Sequence, residues 1–315
     1  MKIGVIGLGY WGEKVVPEYV SLLSNNKLGQ LLLYDEERSK AEKFKNINNV
    51  KIADNLEILL DEVDGVHICT PNETHYELIM KAMRNNVNVL IEKPVTKNSD
   101  EAFKLLETAL SNGLIFQVGN IFRFSNTMTQ VKKLLDDNII GKIRHMTFFW
   151  THLSTSLSSS NEDVIWDLMP HILDMINYFL GGWPKEIINT SIQKNKNTAA
   201  INGSSDILLY YSNDVHILIR ISLMSHKTNR EIEIEGENGT IILNPVAQLA
   251  SLYREGKQYE ITIEKNNTIL AEINNFLECI LEKKTRINSA HLGALIVKEI
   301  ESIKRVEGNE YKRKF

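Results

Sequence analysis

The sequence predicts a two-part α/β protein, with a parallel sheet wound by helices first and a largely antiparallel sheet with helices behind it. In the first third, short apolar runs alternate with amphipathic helical stretches. Strand–helix alternation is typical of right-handed βαβ units and a parallel sheet. The predicted strands are Ile3–Ile6, Gln30–Tyr34, Val50–Ala53, Gly65–Thr70, Val87–Ile91 and Leu114–Val118.

The pattern changes near residue 120. Helices are expected over Thr127–Leu135 and Val164–Leu180, with a strand over Lys142–Trp150 between them. Four β runs then follow with short polar turns, which predicts an antiparallel sheet with one open face. These runs are Ile207–Tyr211, Val215–Ser222, Glu231–Glu235 and Thr240–Leu243. Two helices, about Ile269–Leu281 and Leu292–Val306, end the chain, and we expect domains over 1–119 and 120–315.

Composition excludes several classes of protein. The formal net charge of -4 provides no basic field for nucleic acid or an anionic membrane. No apolar run reaches the ~18 residues of a membrane helix, and no cleavable signal precedes the first strand, so we expect a cytoplasmic protein. Cys69 and Cys279 lie in apolar stretches and are expected to be buried free thiols. Because CxxC and HExxH patterns are absent, no metal site is expected.

A glycine-rich turn follows the first strand and fits GxGxxG. It comprises Gly7, Leu8, Gly9, Tyr10, Trp11 and Gly12. Gly7 allows a tight turn, Gly9 lets the backbone approach a pyrophosphate, and Gly12 lets the following helix pack closely. The helix N-terminus then offers free N–H groups to phosphates. The sequence therefore predicts an N-terminal Rossmann domain that binds a dinucleotide, followed by an α+β domain.

The second predicted strand ends at Asp35. A carboxylate at this position can accept hydrogen bonds from the adenosine ribose hydroxyls and repels a 2′-phosphate, which favours NAD. Two alternatives remain open. Asp35 could cap the helix predicted to start at Glu36, and the nearby Arg38 leaves NADP as the less expected cofactor.

Further motifs give the chain a family resemblance. They lie in order along the predicted elements: Gly7–Gly12, Thr70–His75, Glu92–Pro94, Val118–Phe124, Asp167–His171 and Gly236–Leu243. Together they resemble the glucose–fructose oxidoreductase/inositol dehydrogenase (Gfo/Idh/MocA) family over nearly the whole chain. The resemblance implies an NAD(P)-dependent oxidoreductase that acts on CH–OH groups of sugars. It also implies a second domain that binds substrate and forms a homo-oligomer, a dimer or tetramer.

The resemblance assigns roles around the cofactor. Thr70, Pro71, Asn72 and His75 would line its nicotinamide side, and Glu92 would contact the nicotinamide ribose. Lys93 would contact the cofactor and point at the reacting carbinol, and the Lys93–Pro94 bond is expected to be cis. The carboxyl ends of parallel strands are where open α/β sheets bind ligands, which agrees with these positions. A surface lysine and a helix-start histidine are the plain alternatives.

Asp167 and His171 are four residues apart, so they share a helix face. A carboxylate beside an imidazole fixes its tautomer, and a histidine is suited to take the proton that alcohol oxidation releases. The resemblance places this pair beside Lys93. We assign His171 as general acid/base, Lys93 as donor to the reacting hydroxyl and Asp167 as the group that orients both. Asp174 either supplements this set or is a plain surface residue.

The chain is most similar to the nucleotide-sugar 3-dehydrogenase branch, of UDP-N-acetylglucosamine type. Asn120, Arg123, Trp166 and His171 are the candidate substrate ligands, although Arg123 could instead form a structural salt bridge and Trp166 could be a core aromatic. The Ser/Thr-rich stretch 151–160 is a further candidate. The alternatives are a free-sugar or inositol dehydrogenase, and a non-catalytic dinucleotide-sensing regulator.

Overall fold

A computed structural model describes residues 1–153, 163–193, 203–211, 214–282 and 289–306. The chain forms two compact units. Unit 1 comprises Met1–Ile121 with Asn267–Val297, and unit 2 comprises Phe122–Asn266 with the chain from Lys298 onward. Among the described helices, none combines the length and hydropathy of a membrane span. Both cysteines are free thiols; Cys279 is buried and Cys69 is partly exposed.

Unit 1 is built on a six-stranded parallel sheet with strand order β3-β2-β1-β4-β5-β6. Its strands are β1 (Lys2–Ile6), β2 (Gln30–Tyr34), β3 (Val50–Ile52), β4 (Gly65–Ile68), β5 (Asn88–Ile91) and β6 (Phe116–Val118). Its connecting helices are α1 (Gly12–Ser24), α2 (Arg38–Glu42), α3 (Leu56–Glu62), α4 (His75–Arg84) and α5 (Ser99–Ser111). The central strands are buried on both faces, as a sheet covered by helices on both sides requires. The predicted Rossmann architecture is confirmed.

A late segment of the chain completes the core of unit 1. Helix α8 (Thr268–Glu282) buries Ile273 and Phe276 in the same apolar cluster as Ile3 and Val5 of β1. The prediction placed all of 120–315 in the second domain, whereas the structure groups 267–297 with the first unit. The roles assigned to the two domains stay predictions.

Unit 2 is built on an eight-stranded sheet with order β14-β13-β12-β11-β7-β10-β9-β8. Its strands are β7 (Ile143–Leu153), β8 (Glu186–Gln193), β9 (Ser204–Tyr211), β10 (Val215–Ser222), β11 (Met224–Gly236), β12 (Gly239–Asn244), β13 (Leu249–Arg254) and β14 (Lys257–Ile261). Every pairing is antiparallel except that of β7 with β10. Buried residues alternate with half-buried ones along β9 and with exposed ones along β10, which leaves one face of β10 open. The predicted fold class is confirmed.

Two helices of unit 2 are α6 (Asn126–Asp136) and α7 (Val164–Leu180), and α9 (Ala290–Val306) ends the described chain. Helix α7 begins after Asp163, whose side-chain oxygen accepts a hydrogen bond from the Ile165 N–H at 2.9 Å. It ends at Gly181, where a φ of 68° is open to glycine but disfavours other residues. These caps fix the ends of the helix that carries Asp167 and His171.

Candidate active site

The glycine-rich turn between β1 and α1 has the geometry that its sequence predicts. Gly7 has a φ of +89°, and a Cβ there would lie 2.7 Å from the Thr70 Cγ2 atom. A Cβ on Gly12 would lie 2.1 Å from the Gly7 carbonyl oxygen, so the first turn of α1 packs directly on the loop. At Gly9, nothing lies within 4 Å of the Cβ position. The backbone there is open to a ligand, and the N-terminus of α1 follows it.

Asp35 at the end of β2 is tied to this loop. Its Oδ2 accepts a hydrogen bond from the Leu8 N–H at 2.6 Å, and its Oδ1 accepts one from the Glu37 N–H at 2.9 Å. The Lys40 ammonium lies 3.6 Å from Oδ1. A carboxylate has about four acceptor positions, so capacity for ribose hydroxyls remains. A pocket at this point is lined by Tyr34, Asp35, Glu36, Arg38, Ala41, Ile52, Ala53 and Asp54. These residues could hold the adenosine half of a dinucleotide.

Glu92, at the end of β5, is part of a hydrogen-bond network inside unit 1. Its Oε1 accepts a hydrogen bond from the Trp11 indole N–H, and the buried His67 Nε2 lies 3.1 Å from the same oxygen. The Nδ1 of His67 lies 3.4 Å from the Tyr19 hydroxyl. His67, Cys69 and Glu92 have ligand atoms within 4.8 Å of one another, a spacing that could hold a cation. The Glu92 oxygen already receives two hydrogen bonds, which favours a network that fixes Trp11 over a metal site.

His75 lies beneath the turns that follow β4 and β5, and only 1% of its surface is exposed. Its Nδ1 lies 2.9 Å from the Pro94 carbonyl oxygen and its Nε2 lies 3.0 Å from that of Thr70. Burial lowers the pKa of His75, although the carbonyl contacts oppose this. The Asn72 amide also donates to the Pro94 carbonyl at 2.7 Å. The Lys93–Pro94 bond is cis, as predicted. His75 therefore bridges the turns that follow β4 and β5. Its place along the nicotinamide side of the cofactor stays a prediction.

The remaining predicted residues of unit 1 differ in exposure. Tyr10 is 78% exposed, with the Lys14 ammonium 4.0 Å from its ring centre. Pro71 is exposed, Lys93 is half-buried and Asn120 is buried. Their predicted ligand roles stay predictions.

Unit 2 contributes the Asp167–His171 pair. The two residues lie one turn apart on α7, and both are half-buried. The His171 ring meets the edge of Phe122 with ring centres 5.2 Å apart. Trp166, on the same helix, is also half-buried. The shared helix face is as predicted, and the convergence of this pair with Lys93 stays a prediction.

Arg123 forms a structural salt bridge, which was the alternative to a substrate role. Its Nε donates to the Asp174 Oδ1 at 2.6 Å, and its Nη2 donates to the Asn177 Oδ1 at 2.9 Å. Asp174 is 1% exposed, so a surface role for it is wrong. Burial raises the pKa of Asp174 to about 6, against the opposing influence of Arg123. A substrate role for Arg123 would have to use its remaining donors.

A cationic group on β11 was not among the predicted site residues. The Arg230 guanidinium stacks over the Trp150 ring, 5.0 Å from its centre, and donates to the His152 Nδ1 at 2.9 Å. The sequence carried one indication of it. Arg230 stands two residues before Ile232 and four before Ile234, the two buried residues of β11, so a cation lies on the same face of the strand as these two. The Ser/Thr stretch after Leu153 lies outside the described residues.

Comparisons with known proteins identify one family for both parts of the chain. A model described as an oxidoreductase family with an NAD-binding Rossmann fold matches residues 1–120. The model of the C-terminal domain of the same family matches residues 128–242. The two matches together cover most of the chain.

The sequence identity to individual relatives is low. UDP-N-acetylglucosamine 3-dehydrogenase from Acidithiobacillus ferrooxidans is 24% identical over 89% of this chain and 88% of its own length. Its structure superposes with a TM-score of 0.85 over 97% of each chain. Glucose-6-phosphate 3-dehydrogenase from Bacillus subtilis is 26% identical over 62% of this chain and 58% of its own length.

A further solved structure has the same fold. KijD10, a 3-ketoreductase from Actinomadura kijaniata in complex with NADP and TDP-benzene, superposes with a TM-score of 0.88. It is 19% identical, and the match covers 97% of each chain. The matches to the models of both domains show that the chain belongs to the GFO/IDH/MocA family of oxidoreductases.

Proposed function

We propose that this protein is an NAD-dependent oxidoreductase that transfers a hydride between a sugar carbon and the nicotinamide. The proposed carbon is C3 of a nucleotide sugar such as UDP-N-acetylglucosamine. The observation that carries the proposal is the half-buried Asp167–His171 pair on one face of α7, in a chain that keeps the dinucleotide turn intact. Two relatives whose names specify 3-dehydrogenation support the choice of C3.

The cofactor half of the proposal rests on Asp35 and its surroundings. Arg38, the residue that left NADP open, donates to Asp54 at 2.6 Å and lies 3.4 Å from Glu42. Its charge is therefore already balanced by two carboxylates, which disfavours recruitment by a 2′-phosphate. The Asp35 carboxylate adds a negative charge beside the same pocket. These features favour NAD, although a structural neighbour carries NADP.

The proposed mechanism divides the reaction between proton and hydride. Bound NAD supplies the hydride acceptor. His171 takes the proton from the reacting hydroxyl, a step that typically contributes ~10²–10⁴-fold in rate. Asp167 lies one helical turn away and favours the protonated imidazole. The Lys93 ammonium donates to the same oxygen and stabilises the negative charge that develops there as His171 removes the proton.

Assembly through the open face of the second sheet is also proposed. On that face Leu218 of β10 is 45% exposed, in a row where every second residue is exposed. The open sheet face, with this apolar side chain on it, is the candidate subunit interface. A dimer or tetramer is expected, and a cytoplasmic location stays a prediction.

The experiment is a substrate panel with NAD and purified protein, monitored by NADH absorbance. UDP-N-acetylglucosamine should be oxidised, while N-acetylglucosamine and myo-inositol should react poorly. His171→Ala provides the control, because it should bind NADH but fail to turn over. Preferred oxidation of a free sugar or inositol would select the alternative dehydrogenase, and cofactor binding with no turnover on any sugar would indicate a sensor.

A further inference from the structure

Arg230 is a cation held in a partly buried place by neutral partners. Its Nη1 donates to the carbonyl oxygens of Thr151 at 3.1 Å and Asn229 at 3.3 Å, and its Nη2 donates to the His152 Nδ1 at 2.9 Å. These bonds use three of the five N–H donors of a guanidinium. The Nε–H and the second Nη2 N–H take no part in these three hydrogen bonds. Together these two donors form the fork that suits an oxyanion.

The charge of Arg230 is not balanced by a hydrogen-bonded carboxylate among the residues that the structure describes. Its three acceptors are all uncharged, and Asp167 acts on it only through space. Burial lowers the pKa of Arg230, and the charge of Asp167 opposes this only in part. A partly buried charge of this kind is costly unless something compensates for it.

His152 extends the same site. Because arginine can only donate, the His152 Nδ1 must be the acceptor, and the neutral ring carries its proton on Nε2. Burial and the Arg230 charge both lower the pKa of His152, which agrees with a neutral ring. The pair therefore offers a guanidinium fork and an imidazole N–H.

Ring contacts link this cation to the proposed general base within unit 2. His171 contacts Phe122, Phe122 contacts Trp150, and Arg230 stacks on Trp150. The three steps measure 5.2, 5.3 and 5.0 Å between centres. The proposed general base and Arg230 are therefore connected through two buried rings, Phe122 and Trp150, within unit 2.

We propose that Arg230, together with His152, binds a phosphoryl group of the sugar substrate. The proposal rests on the proposed function and deepens it, because it assigns the substrate to sugar phosphates or nucleotide sugars and excludes neutral sugars and polyols. Arginine recognises phosphoryl oxygens through paired N–H groups, and the Trp150 ring holds the guanidinium plane in place. A bound phosphoryl group also supplies a hydrogen-bonded anion, which Arg230 does not have among the described residues.

The test compares Arg230→Met and Arg230→Lys with a matched control, Arg144→Met. Arg144 lies at the start of β7, whereas Thr151 and His152, the partners of Arg230, lie near its end. The salt bridge of Arg144 to Glu237 is solvent-exposed, so its loss should change stability and activity little. NADH formation is measured with UDP-N-acetylglucosamine, glucose 6-phosphate, N-acetylglucosamine and myo-inositol. Melting temperature and NADH binding report on folding. Arg230→Lys keeps the charge and serves as the variant if Arg230→Met fails to fold.

Arg230→Met should raise KM for the phosphorylated substrate about 10- to 100-fold, the effect of losing hydrogen bonds to a charged group. The kcat should change less, Arg230→Lys should be intermediate, and Arg144→Met should match the wild type. An unchanged KM for phosphorylated sugars, or an equal rise for neutral ones, would overturn the proposal.

Direct binding separates this proposal from the proposed function. Calorimetry with UDP in the presence of NADH should show binding that Arg230→Met weakens about 10- to 100-fold and Arg144→Met retains. If no sugar is oxidised but UDP binds in this way, the proposed function fails and the phosphoryl site stands. Absence of UDP binding to the wild type would reject the site, whatever the sugar panel shows.

Discussion

Replacement of Arg123 by methionine is expected to reduce the free energy of unfolding by about 3–5 kcal/mol at pH 8. The Arg123 and Asp174 side chains are 12% and 2% exposed, and their charged atoms are 2.6 Å apart. Removing one partner of a buried ion pair leaves the other charge uncompensated, which accounts for the size of the loss. An exposed pair would contribute at most about 1 kcal/mol.

The loss should depend on pH in a defined direction. Burial already raises the pKa of Asp174 to about 6 in the folded protein, above its ordinary value of 3.8. The folded state therefore holds the proton more tightly, and this contribution to stability is lost as pH rises between about 4 and 6. Without Arg123 the folded pKa rises further. The variant should therefore be closest to wild type near pH 4 and fall progressively behind it as the pH rises.

Urea unfolding at pH 4.5, 6 and 8 measures this effect. Asp174→Asn in the Arg123→Met background removes the uncompensated charge and should recover part of the stability at pH 8. A loss below about 1 kcal/mol at every pH, with no recovery in the double variant, would refute the buried-pair argument. If such a variant instead showed a large rise in the KM for the sugar, Arg123 would be a substrate ligand.

Three further predictions concern the reaction. Because of Asp35, NADH should bind more tightly than NADPH in a titration; equal or tighter NADPH binding would contradict the ribose assignment. His171→Ala should lower kcat by ~10²-fold or more with nearly unchanged NADH affinity, and a variant with normal turnover would remove His171 from the mechanism. Lys93→Met should fold and bind NADH but lose ~10²–10³ in turnover, and Lys93→Arg should also be poor. Full activity in either lysine variant would make Lys93 a surface charge.

The elements with strong periodicity were predictable from the sequence. The predicted bounds of α7 and β10 coincide with those in the structure, because a wide apolar helix face with clear caps and a strict alternation are local signals. Strands β13 and β14 were missed because most of their residues are exposed or half-buried, so no apolar alternation marks them.

Pairing between distant segments was beyond sequence reasoning. The parallel pairing of β7 with β10 joins strands that are separated by α7 and two other strands. The hairpin-like succession of strands predicted antiparallel neighbours only. Likewise, nothing in the local pattern of α8 indicates that Phe276 packs against β1 in unit 1.

The site residues also divide into those fixed by a local motif and those fixed by partners from distant elements. The Gly7 and Gly12 geometry could be predicted because the constraint lies within a short motif. The contacts of His75 with two carbonyl oxygens and of Arg123 with Asp174 could not, because the partners come from other elements. Arg230 was overlooked because no motif surrounds it, although its spacing from Ile232 and Ile234 predicts that it shares their face of β11.

Transfer of deuterium from UDP-N-acetylglucosamine labelled at C3 is the most direct measurement of the proposed reaction. The enzyme would be incubated with the labelled sugar and NAD, and the reduced cofactor would be analysed by mass spectrometry. One deuterium per turnover in the reduced cofactor is predicted, with none appearing when His171→Ala replaces the wild type on the same timescale. Reduced cofactor without deuterium would place the hydride on another carbon, and absence of any reduced cofactor would contradict the assignment of this sugar as substrate.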